Sequence, residues 1–266
     1  MTRLSPTEYL DHIRSESARF RAVLAGCDPA ARVPACPDWD AADLLWHLGE
    51  VQWFWSQVIG RRPAAPREDD PRPDRPGDTA GLLAFFDESS GALVAALESA
   101  DPTEPAWSWA DEQRVGFTYR RQAHEALIHR LDAEQTAGTT TPLDARLAAD
   151  GVAELMEVMY GGEPPAWGRF EPGVGQVDVR ITDAGETIRV RPGTFVGTDP
   201  ESGKAYDGPH LLVVPEPSGA AAATVAGTAA DLDAWLWKRA GDAGVTWDGD
   251  EAARDGFLAA VIPPLD

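Results

Sequence analysis

Apolar residues recur at helical spacing through the first part of the chain and alternate with polar ones further on. Ser5-Pro6-Thr7-Glu8 reads as a capping box with proline at the first helical position. Tyr9, Ile13, Phe20 and Leu24 follow near helical period up to Gly26. A short loop then holds Cys36-Pro37-Asp38-Trp39. Asp40, with Asp43 three residues on, caps a second helix that carries Leu44, Leu45, Leu48, Val51, Trp53, Phe54, Trp55 and Val58 before Gly60. Residues 61–77, RRPAAPREDDPRPDRPG, are too polar to bury and too rich in proline to be helical, which predicts an exposed connection. A third helix is expected near 79–99, a tryptophan-containing loop over 101–116, a fourth helix from about Phe117 to Thr136, and a fifth from behind Thr141-Pro142 to about Tyr160. Long amphipathic helices joined in this way predict an antiparallel bundle over residues 5–160.

The pattern changes after Gly162. GEPPAWGRFEPG reads as a linker. Val177, Val179 and Ile181 then alternate, Asp183-Ala184-Gly185-Glu186 turns, and Ile188 and Val190 alternate back, which predicts a hairpin. Leu211–Val214 and Ala222–Ala226 are further strand candidates, and strands are expected only within about 174–247. Thr228 caps a helix over 229–240 with Leu232, Trp235 and Leu236, and a last helix is expected at about 251–261. The expected fold class is α+β in two domains: a helical bundle over 1–162, then a smaller α/β domain over 163–266.

Composition narrows the partners. The 266 residues carry a formal charge of −21. Such a field repels phosphate backbones and anionic bilayers, so neither nucleic acid nor a membrane surface is an expected partner. No apolar run approaches the ~18 residues of a membrane span, and the N-terminus has no apolar signal core, so the expected location is the cytoplasm. Two cysteines, Cys27 and Cys36, make no disulfide framework and no CxxC motif.

The histidines and nearby carboxylates are the informative residues. Glu125 and His129 stand four apart on the fourth helix, one above the other on one face. His47 lies in an otherwise apolar stretch of the second helix, where an inward ring needs a partner for its nitrogens. Two imidazoles and one carboxylate match an open catalytic zinc site, with a fourth position for water or substrate. The plain alternatives are an exposed helical ion pair for Glu125 and His129 and a hydrogen-bonded core histidine for His47. His124 points about 100° away from Glu125 around the helix and is left out. Asp132 has two readings: a partner for the second nitrogen of His129, or a surface ion pair with Arg130 or Arg121. Trp46, Trp53, Phe54 and Trp55 read as core aromatics, and Cys36 reads either as a reactive thiol or as a small loop residue.

Two motifs carry a resemblance. Cys36-Pro37-x-Trp39, Asp43-Leu44, His47-Leu48-Gly49 and then His124-Glu125, Ile128-His129-Arg130 and Asp132 resemble the mycothiol-dependent maleylpyruvate isomerase family within the DinB-like helix bundles. The tail resembles that family's C-terminal domain, in Val225-Ala226-Gly227-Thr228-Ala229-Ala230-Asp231-Leu232, Trp235-Leu236-Trp237-Lys238-Arg239 and Gly249-Asp250. The resemblance implies a divalent metal, zinc, on His47, Glu125 and His129. It implies mycothiol as a low-molecular-weight thiol nucleophile, a small electrophilic substrate, and Arg239 as a catalytic residue of a cleft between the two domains. A metal lowers the pKa of a bound thiol, and the thiolate can add to an activated double bond. If the thiol then leaves, the outcome is isomerisation; if it stays, S-transfer. Two other uses of the same residues stay open: a hydrolase working through metal-bound water, and a non-enzymatic metal-binding module. Arg239 has its own plain reading, as a cation complementing a helix C-terminus.

Overall fold

The computed structural model describes residues 3–263, so the outermost ends of the expected domains, 1–2 and 264–266, lie outside the described residues. The chain forms two compact units, Leu4–Leu143, and Asp144 onward together with Arg3. The division comes before the fifth helix, whereas the sequence reading placed it after residue 162.

The first unit contains α1 (Pro6–Ala25), α2 (Ala41–Gly60), α3 (Thr79–Glu98) and α4 (Val115–Thr136). Two capping boxes set the starts of α1 and α2. Ser5 pairs with Glu8 in the first, and Asp40 with Asp43 in the second. Side-chain pairs give the helix directions. Glu16 meets Arg130 and Arg19 meets Glu134, so α1 and α4 run the same way. Phe20 packs tilted against Phe86 while Arg14 reaches Glu98, so α3 runs against α1. His47 meets Glu125 while Trp55 packs on Phe117, so α2 runs against α4. The bundle is therefore up-down-down-up, with antiparallel pairing across these two interfaces. The long proline-rich connection expected at 61–77 is the crossover that lets α2 and α3 run together.

Three local expectations are corrected in this unit. Residues 36–39 are not loop: β1 (Arg32–Val33) and β2 (Cys36–Asp40) form a small antiparallel hairpin, so strands are not confined to 174–247. Cys36 sits in β2, partly buried against the core formed by Phe20, Leu44, Leu45, Leu48 and Phe86. The helix α3 contains an 18-residue window of mean hydropathy 1.4, long and apolar enough by length and composition to cross a membrane. Its alanines raise that value, and its Leu82, Phe86, Leu93 and Leu97 are buried, with the helix packed on α1 and α2.

The second unit starts with α5 (Ala145–Glu154), which continues as a π-helical turn over Leu155–Met159 and packs on α6 (Ala229–Leu236). Gly151 allows the close approach: a Cβ there would meet the Asp233 carboxylate at 2.9 Å. The sheet holds β3 (Gly168–Pro172), β4 (Val177–Ile181), β5 (Glu186–Thr198), β6 (Ala205–Val213), β7 (Ala223–Gly227) and β8 (Thr246–Gly249), and α7 (Glu251–Val261) follows. The hairpin is β4–β5, in the register Val177 opposite Val190 to Ile181 opposite Glu186. β7 adds parallel to β4, β8 antiparallel to β7, and β6 antiparallel to β5. β5 runs on past the hairpin, and its far half pairs with β3, so the expected linker contributes a strand. The helix expected over 229–240 ends at Leu236. Lys238 takes φ 63°, and the Arg239 amide donates to the Ala234 carbonyl at 2.7 Å, a Schellman ending built without glycine.

The α2 cap is the simplest element to test. Asp40→Ala removes the side chain that accepts from the Asp43 amide at 2.9 Å. Urea unfolding should show a loss of about 1 kcal/mol; an unchanged midpoint would mean that the cap does not hold α2.

Candidate metal centre

Helix α2 presents His47 and helix α4 presents Glu125 and His129 to one point. The donor atoms of the three residues all lie within 4.8 Å of one another. Glu125 Oε1 is 3.1 Å from His129 Nε2 and 3.5 Å from His47 Nε2. The two imidazole rings meet edge to face at 4.8 Å. His129 is nearly buried, while His47 and Glu125 are partly accessible.

Each donor is aimed by a second contact. Asp132 Oδ2 accepts from His129 Nδ1 at 2.9 Å, which leaves Nε2 for the triad. Asp132 is fully buried, so the surface ion-pair reading of this residue is corrected. Arg121 donates to Glu125 Oε2 at 3.1 Å and turns the other carboxylate oxygen toward the histidines. The Trp39 ring lies 4.7 Å from that of His47. Arg121 had been read only as a surface partner of Asp132; its spacing of four from Glu125 was the available signal. His124 packs edge-on to Tyr9 of α1, away from the triad.

The electrostatics follow from this crowding. Burial disfavours the His129 imidazolium, but hydrogen bonds to Asp132 and Glu125 and the attraction of both carboxylates outweigh it and raise the pKa to about 9. Burial likewise disfavours the Glu125 carboxylate, yet bonds from His129 and His47 and the charges of His129 and Arg121 hold it well below the usual range.

The donor chemistry suits a divalent cation. A tetrahedral ion with bonds of about 2.0–2.1 Å has donor–donor edges of about 3.3 Å, close to the 3.1 and 3.5 Å found here. Asp132 behind His129 is the carboxylate–histidine arrangement that fixes a ligating ring.

Arg239 belongs to the second unit, where its guanidinium lies 5.9 Å over the Trp237 ring and donates to the Trp237 carbonyl at 2.6 Å. Trp46 stacks on Phe85, whereas Phe54 and Trp55 gather with Trp107, so the aromatics of α2 serve two contacts.

Two family models match in order along the chain. The Mycothiol maleylpyruvate isomerase N-terminal domain covers residues 10–134, and the MDMPI C-terminal domain covers residues 146–256. The chain belongs to the mycothiol-dependent maleylpyruvate isomerase family. That is a family of enzymes, named for an isomerisation and for the thiol it uses. The crystal structure of a mycothiol-dependent maleylpyruvate isomerase shares 13% identity and a TM-score of 0.60, over 95% of this chain and 98% of that one. A variant of that enzyme with a histidine replaced by alanine gives the same values. At that identity the likeness is one of fold. No protein among the curated ones matches the sequence. The break between the two family matches, 135–145, brackets the division between the compact units.

The raised His129 pKa gives a direct test. In the metal-free protein, NMR titration should place the His129 midpoint near 9. Because this is above the unfolded value of about 6.5, the stabilisation is fully present below pH 6.5 and is lost as pH rises through 9. A midpoint at or below the unfolded value would contradict the geometry.

Proposed function

We propose that this chain is a metal- and mycothiol-dependent isomerase of the maleylpyruvate type, with a divalent cation, zinc, held by His47, Glu125 and His129. The observation that carries the reading is the convergence of these three donors within 4.8 Å, with Glu125 at 3.1 and 3.5 Å from the two histidines, spacings close to tetrahedral edges. When bound, the metal and thiol together supply a thiolate at neutral pH, able to add to an activated double bond and leave again. The chain's own residues prepare the position. Asp132 keeps the proton of His129 on Nδ1 and so directs Nε2 to the site. Arg121 neutralises and orients Glu125. Arg239 supplies a fixed cation for a substrate carboxylate, in a chain whose formal charge is −21.

The test is a zinc titration of the purified protein with a mycothiol-dependent maleylpyruvate assay on the same samples. Wild type should bind one zinc and turn over. His129→Ala should lose metal affinity by at least about a hundredfold and activity with it. Arg239→Ala should keep its zinc and lose kcat/KM by about ten- to a hundredfold, the worth of one charge-assisted hydrogen bond. Unchanged zinc affinity in His129→Ala would overturn the metal site, and full activity in Arg239→Ala would remove that residue from the chemistry.

A further inference from the structure

Helix α4 carries Thr118, Gln122, Glu125 and His129 at spacings of four, three and four residues, which places all four on one face of the helix. Glu125 and His129 meet His47 there, so this face looks toward α2. Thr118 is 0% and Gln122 1% exposed. Among the described residues, the Thr118 hydroxyl and both polar atoms of the Gln122 amide have no hydrogen-bond partner. Charged groups elsewhere on α4 are matched: Arg121 with Glu125, His129 with Asp132, Arg130 with Glu16 and Glu134. An interior that leaves a whole amide unpaired has given up the bonds that amide made in water, and native cores rarely do so without a ligand or an ordered water.

The positions of the two residues narrow the ligand. Along the helix Gln122 lies three residues, about 4.5 Å, from Glu125, and Thr118 seven residues, about 10 Å. A side-chain amide with both its donor and its acceptor unused is matched by another amide, and a hydroxyl by a hydroxyl or carbonyl. A cysteine-derived thiol has amide groups three to four bonds from its sulfur, and a sugar-bearing one has hydroxyls beyond them. We propose that Gln122 and Thr118 are the residues that receive the amide and the hydroxyl of the thiol cofactor, and that they thereby select an amide-bearing thiol over a simple one. This rests on the reading of His47, Glu125 and His129 as a thiol-activating site. Neither residue is a ligand of that site, so both can be changed without removing a donor.

The experiment is calorimetric titration of the zinc-loaded protein with mycothiol and, separately, with 2-mercaptoethanol, which has no amide. It compares wild type, Gln122→Met and Thr118→Val. Both variants should keep their zinc content and melting temperature and should bind 2-mercaptoethanol as wild type does. Mycothiol affinity should fall about tenfold in Thr118→Val and about ten- to fiftyfold in Gln122→Met. Unchanged mycothiol affinity would overturn the proposal and leave the two residues to an ordered water only. An equal loss for both thiols, with a lowered melting temperature, would overturn it in favour of a packing role. Thr118→Val, which removes only a hydroxyl, decides the matter if Gln122→Met fails to fold. A wild type that holds zinc and takes up neither thiol would bring down the functional reading and this inference together. Thiol uptake without discrimination between the variants would bring down this inference alone.

Discussion

Asp132 gives His129 a carboxylate partner at 2.9 Å in the interior, where neither group has water as an alternative. A buried carboxylate must be matched, and a buried imidazole must commit its ring nitrogens. One contact satisfies both and fixes the ring, so Nε2 has a single direction to face, toward Glu125 and His47. Arg121 treats the Glu125 carboxylate in the same way from its other oxygen. The triad is thus aimed from behind on α4, and only His47 comes from another helix. Removing Asp132 would leave a buried ring free to turn, which is the reason to regard the pair as the constraint on which the site depends.

The bundle supplies the rigidity this aiming requires. On its other side, α4 is tied by Arg130 to Glu16 of α1 and by Glu134 to Arg19, and Glu134 also accepts from the Thr141 amide at 2.7 Å. These pairs fix the rotation of α4 about its axis, and with it the direction of Glu125 and His129. The α2 capping box and the packing of Leu44, Leu45 and Leu48 do the same for His47. Up-down-down-up topology puts α2 and α4 against each other in opposite directions, so His47 in the first half of α2 meets Glu125 at the middle of α4 and His129 one turn further on.

Much of this was readable in the chain because it is local. Caps, helical period and the i, i+4 pair belong to short windows, and α1 to α4, the β4–β5 hairpin and the Glu125–His129 pair follow from them, whereas the joining of His47 to that pair, over the plain alternatives, came with the family resemblance. What escaped depends on distant partners. The far half of β5 does not alternate, because Gly193 and Gly197 stand where rings from the neighbouring segment lie: Phe170 over Gly193 and Trp167 over Gly197. The end of α6 was hidden because lysine, not glycine, takes the left-handed position. Its ammonium group bonds the Leu236 and Val261 carbonyls, a contact that sequence spacing does not disclose. The two readings of Asp132 stay open in the sequence for the same reason, since burial separates a structural carboxylate from a surface one. Gln122 and Thr118 carried no signal at all, because being unpaired is a property of the folded interior.

The central claim is that the two histidines and the glutamate hold a metal that also takes the thiol. Cobalt substitution tests this most directly, because a cobalt–thiolate bond produces a charge-transfer absorption that a cobalt–water site lacks. Cobalt-loaded protein should show the intense visible bands of low-coordinate cobalt, and mycothiol should add the thiolate band in one-to-one proportion. Failure to bind cobalt, or a spectrum unchanged by mycothiol, would contradict the account.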